Sequence, residues 1–73
     1  MACVRPDGTL TENAKVVLRL LDLPLAPEEI APRVNRPLFQ VRSILRELQI
    51  QGLVLEADQG LFSISILGQA KLR

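Results

Sequence analysis

Arg33, Arg36, Arg42 and Arg46 lie between Ile30 and Arg46 with no aspartate or glutamate among them. A guanidinium is a planar, permanently charged fork of donors that matches a phosphate or the major-groove edge of guanine. Gln40 and Ser43 add an amide and a hydroxyl in the same stretch, and an amide can pair with the adenine edge. The chemistry on offer is recognition of an anionic, hydrogen-bonding surface. Phe39 and Ile50 project on the same helical face as Ser43 and Arg46, and two large apolar residues facing outward more often mark a protein contact.

Bond-making chemistry is poorly supplied. The chain has no histidine, a single cysteine and no glycine-rich phosphate loop, so the constellations needed for acid–base or nucleophilic catalysis are missing and no enzyme activity is expected. A zinc site of Cys/His type cannot be assembled, and no metal or cofactor is expected. Glu28 and Glu29 are adjacent in a predicted first turn and diverge around the helix. They read as carboxylates favoured by the positive end of the helix dipole, not as a catalytic pair.

The elements that carry these residues must fit one small domain. A chain of 73 residues can bury only about 60% of its unfolded surface, which makes its stability marginal and excludes two independent folding units. Composition is 48% hydrophobic and 23% charged, as in a globular protein. With two phenylalanines and no tryptophan or tyrosine, the core must be built from Leu, Ile, Val and Ala, which leaves no aromatic platform for stacking single-stranded bases.

Net charge is only +1, so no global polycationic field would hold nucleic acid without regard to sequence. Positive charge is local to the arginine window, with Glu28, Glu29, Glu47, Glu56 and Asp58 on either side of it. The N-terminus "MACVRPDG" lacks the apolar core of a signal peptide, and no apolar run approaches the ~18 residues of a membrane span. A cytoplasmic location and no membrane contact are the expectations. Cys3 is read as a bystander near a frayed end.

The spacing predicts a first helix over about 10–22. Thr9 and Glu12 have capping-box spacing, although Thr11 is an alternative cap. Leu10, Ala14, Val17, Leu18 and Leu21 form its core stripe, and Pro24 ends it. Val16 and Leu20 lie off that stripe, either under a sheet or loop or at a dimer contact. A second helix is predicted over about 27–34, with Pro27 in its first position, Leu25 placed to staple onto Ile30, and a distortion at Ala31 because Pro32 lacks an N–H. Asn35 suits the left-handed residue that closes it. A third helix over about 37–51 buries Leu38, Val41, Ile44, Leu45 and Leu48, and Gly52 stops it. "LVLEA" and "LFSISI" read as two strands around a "DQG" turn in which Gly60 can take a positive φ, spanning about 53–66. Ser65 can cap a short C-terminal helical turn.

In that order, three helices followed by a two-stranded hairpin, the chain resembles the winged helix-turn-helix superfamily, an α+β fold. "EEIAPRVN" is similar to the "E-I-A-x-x-L-G" second helix of bacterial regulators of the MarR, ArsR and PadR type. "VRSILRELQIQGLV" matches their "V-x-x-x-L-x-x-L-x-x-x-G-L-V" ending at Val41, Leu45, Leu48, Gly52, Leu53 and Val54. "LFSISILGQAKL" is similar to their "Y-x-L-T-x-x-G-x-x-x-L" at Phe62, Ile64, Ser65, Gly68 and Leu72.

The resemblance implies a small prokaryotic DNA-binding transcriptional regulator, or the DNA-binding part of one, with double-stranded DNA as partner. Its third helix would enter the major groove and the wing would lie along the phosphates. The residues presented to DNA would be Arg33, Arg36, Gln40, Arg42, Ser43 and Arg46. Two features depart from the pattern: the first turn of the third helix is Pro37-Leu38-Phe39-Gln40, without the usual small hydroxyl residues, and the wing carries Glu56 and Asp58. The alternative is a winged-helix module that docks a protein partner, or a weak homodimer, through Phe39, Ile50, Val16 and Leu20.

Overall fold

The computed structural model describes Arg5 and residues 9–73; Cys3 lies outside the described residues. The first helix, α1, spans Glu12–Leu20. Thr11, in extended conformation, is its cap, and the Thr11 hydroxyl accepts from the Ala14 N–H at 3.4 Å. The alternative cap is thus the one used, and the helix starts two residues later than the spacing predicts. Ala14, Val17 and Leu18 point inward together with Leu10 and Leu21 on either side of the helix.

The second helix, α2, spans Pro27–Val34. Its cap position is Ala26, whose methyl group cannot accept a hydrogen bond. The adjoining backbone is satisfied from the other side, because Glu29 Oε1 accepts from the Ala26 N–H at 2.9 Å. That contact is half of a capping box. Leu25 and Ile30, the two staple positions, are both buried in the core. The helix continues through Pro32 without the distortion expected at Ala31. Pro32 and Glu28, the residue whose carbonyl loses its donor, both lie on the solvent side. Asn35 closes the helix in the left-handed region at φ 56°, ψ 47°, and the Arg36 N–H reaches back to the Ala31 carbonyl at 3.2 Å. This sharp turn launches the next helix.

The third helix, α3, spans Leu38–Ile50, with Pro37 as its cap residue. The Pro37 carbonyl accepts from the Gln40 and Val41 N–H groups at 3.0 and 3.1 Å. Its end is a double reverse contact around Gly52, which has φ 76°: Gly52 N–H donates to Gln49 O at 3.0 Å and Leu53 N–H to Leu48 O at 2.9 Å. This is a Schellman closure, and its positive φ favours glycine.

An antiparallel hairpin follows, β1 Val54–Glu56 and β2 Phe62–Ile64, in the register Val54 with Ile64, Leu55 with Ser63 and Glu56 with Phe62. Gln59 as well as Gly60 has positive φ in the turn, 67° and 71°. Leu25, ahead of α2, bridges Phe62 through paired backbone bonds of 2.9 and 2.8 Å. The hairpin is therefore tied to the segment that enters α2. A last helix, α4, spans Ile66–Lys71. The chain is thus α+β, with helices followed by a two-stranded hairpin and a C-terminal helix.

The core is aliphatic, as the composition requires: Leu18, Leu21, Ile30, Ile44, Leu45, Leu48, Val17, Val41 and Val54 are its largest fully buried side chains. Burying one such side chain contributes roughly 1.5–3 kcal/mol. Leu38, expected in this set, is only half-buried, because it opens α3 at the rim of the core.

Candidate functional site

Helix α3 buries Val41, Ile44, Leu45 and Leu48, packing mainly against α2 and β1, which forces the opposite face outward. Phe39, Ser43, Arg46 and Ile50 recur at intervals of three and four on that face, and all are exposed. Arg42 stands on its flank. The sheet side of the helix faces the hairpin, and between α3, the start of α2 and the hairpin turn lies an open groove of about 400 Å³. Glu28, Arg42, Arg46, Gln49, Glu56 and Gln59 supply its polar lining.

The four arginines have four different surroundings. Arg36 donates from Nη2 to Asn13 Oδ1 on α1 at 2.8 Å. Arg42 places Nη2 3.5 Å from Glu28 Oε2, with both side chains 61% exposed. Arg33 lies in the last turn of α2, where its charge suits the negative end of the helix dipole. The Arg46 side chain is exposed in the groove, without a hydrogen bond or ion pair to any described residue. Arg42 and Arg46 therefore both line the groove, Ser43 lies beside Arg46 on the exposed face, and Arg36 is turned toward α1.

Gln40 differs from the expectation that it faces outward. It is half-buried, and its Oε1 is enclosed by protein with no hydrogen-bond partner among the described residues. Glu56 approaches the groove from β1, and Gln49 Nε2 donates to Glu56 Oε1 at 3.5 Å. The carboxylates of Glu28 and Glu56 thus stand on two sides of the Arg42–Arg46 surface, and neither was assigned to it from the sequence. Glu28 is fourteen positions from Arg42, so no helical spacing links the two; the fold of α2 onto α3 brings them together.

The apolar residues also separate. Phe39 and Ile50 are 72% and 74% exposed at opposite ends of the α3 face. Val16 is 41% exposed, next to a smaller cavity of about 190 Å³ that Asn13, Val34, Arg36 and Ile44 help to line. Leu20 does not join it, because Leu20 packs against the core. Its neighbour Leu21 accepts from the Ile64 N–H at 3.0 Å, which brings β2 against the end of α1. Other exposed apolar side chains are Leu23, Leu55, Ile66 and Leu67.

Among the described residues there is no grouping of three or more His, Cys, Asp or Glu side chains that could hold a metal ion. No helix among them is long and apolar enough to cross a membrane. No protein-family model matches the chain, and neither the curated proteins nor the solved structures give a match.

Proposed function

We propose that the chain is a winged helix-turn-helix DNA-binding domain of a cytoplasmic, prokaryotic type of transcriptional regulator. In this reading α2, the Asn35 turn and α3 are the helix-turn-helix, α3 is the major-groove helix, and the hairpin is the wing. The observation that carries it is the joint exposure of Arg42, Ser43 and Arg46 on α3, beside a groove whose other wall is the hairpin. Arg46, whose fork pairs with no other described residue, is available to guanine or phosphate, and Arg33, exposed in the last turn of α2, would add a backbone contact.

The test is a backbone-amide NMR titration with a generic DNA duplex, at low salt and then at higher salt. The expected result is a set of shifts confined to Arg36–Arg46 and the hairpin that fades as salt rises, the signature of counterion release. Silence at low salt overturns the reading.

The exposure of Phe39 and Ile50 favours a second reading, a winged-helix module that docks a protein partner or a second copy through the α3 face. In that case Phe39→Ser abolishes partner binding or self-association and leaves DNA affinity unchanged.

A further inference from the structure

We propose that Glu28 is a specificity-determining residue that occupies Arg42 in the free domain, so that DNA phosphates must displace it before Arg42 can engage. This rests on the DNA-binding reading above. The geometry is that of a displaceable pair. Nη2 and Oε2 are 3.5 Å apart and both side chains are largely in water, whereas a strong charge-assisted bond is ~2.7–2.9 Å long. An exposed pair of this kind is weak enough for a competing anion to take over.

Glu28 does not depend on Arg42 to be where it is. It sits in the first turn of α2, where the positive end of the helix dipole favours a carboxylate. Its neighbour Glu29 turns back to the Ala26 N–H. The two adjacent acids are therefore divided between holding the helix start and facing the groove. On the far side Glu56, bound by Gln49, presents a second carboxylate. Two acids and two arginines on one groove cancel in charge, in a chain whose net charge is only +1.

The consequence for recognition follows from what each contact reads. Phosphates are present in every duplex, and a carboxylate held against Arg42 weakens attraction to all of them equally. Arg46 has no such competitor among the described residues. Affinity then comes from base-edge contacts that only particular sequences offer, which is discrimination by an element that opposes the wrong partner. The same arrangement gives a physical role to the acidic hairpin, which departs from the basic wings that the resemblance implies.

The experiment compares wild type, Glu28→Gln, Arg42→Ala, the double variant of these two, and Arg46→Ala on a generic duplex over a range of salt. Glu12→Gln, which removes an equal charge from α1, is the control. Glu28→Gln should tighten generic binding roughly threefold, the scale of an exposed pair, with little change in the slope of log K against log salt, because Arg42 reaches the same phosphate once Glu28 is displaced. The gain should vanish in the Arg42→Ala background. A melting curve establishes that each variant is folded; Glu28 is exposed, and Glu29 keeps the contact at the helix start.

If Arg46→Ala weakens binding while Glu28→Gln leaves it unchanged, the DNA reading stands and the role of Glu28 is overturned. Equal gains from Glu12→Gln and Glu28→Gln, or a gain that persists without Arg42, also overturn it, since net charge then explains the effect. Binding by none of the proteins at low salt removes the DNA reading and the inference together.

Discussion

Asn13 on α1 accepts a hydrogen bond from Arg36, Oδ1 to Nη2 at 2.8 Å, and so ties the start of the α2–α3 turn to the first helix. A charged donor on a neutral amide at an exposed site contributes modestly, so Arg36→Ala and Asn13→Ala should each cost about 0.5–1 kcal/mol in urea denaturation. A double-mutant cycle should give a coupling of about 0.5 kcal/mol. Arg36→Ala should affect duplex binding less than Arg46→Ala does, because its fork is already engaged. Equal losses of binding would return Arg36 to the contact surface.

Arg42→Ala and Arg46→Ala are expected to weaken duplex binding with little change in the melting curve, because both side chains are exposed, the Arg42–Glu28 pair is in water and Arg46 has no side-chain partner among the described residues. If both hold phosphates, each reduces the salt slope by about 0.9. If Arg46 reads guanine, its loss costs ~1–3 kcal/mol on the preferred site and relaxes preference at one base position. Binding measured on a small panel of duplexes separates these outcomes. Unchanged binding in both variants would remove the surface from the proposal.

Gly68 and Ser65 join α4 to the end of α3. Ser65 donates its hydroxyl to the Gly52 carbonyl at 2.7 Å and accepts from the Gly68 N–H at 3.0 Å. A Cβ at position 68 would run into the Leu53 carbonyl oxygen and stand 2.8 Å from Ile64 Cγ1. Gly68→Ala should therefore destabilise by about 1–3 kcal/mol, the range of an overpacked site. Ser65→Ala, which removes a helix cap, should cost about 1–2 kcal/mol. Thermal melts read both, and a neutral Gly68→Ala would show that α4 can lift away from Leu53 at little cost.

Phe39→Ser tests the apolar end of the α3 face. At 72% exposure the ring contributes little to folding, so the variant should melt with wild type. Sedimentation of the two proteins at high concentration then asks whether the ring is a contact. A wild type that self-associates and a variant that does not would support the protein-docking reading.

The helices and their closures were legible in the sequence because each rests on local rules. The 3.6-residue period located the core stripes. Asn35 and Gly52 close α2 and α3 in the left-handed conformation their types favour, and Gly60 takes its positive φ in the hairpin turn. Gln59 at positive φ was not legible, since an ordinary side chain there carries no signal. The pairings of Arg36 with Asn13 and Arg42 with Glu28 were equally hidden. They depend on how the helices cross, and no local period encodes a contact between surface groups on different helices. Gln40 failed for a related reason: its helical angle puts it on a flank, and the packing of neighbouring elements decides whether a flank is wet.

The backbone bridge between Leu25 and Phe62 bears on the order of assembly. About half of the chain lies between its two ends, and that half contains α2 and α3. The entropy lost on closing so large a loop is not offset until those helices have packed. The bridge is therefore expected to form late in folding. Its two amide protons are expected to be protected from exchange in the finished molecule and to lose that protection in any variant that keeps its helices but loses the hairpin.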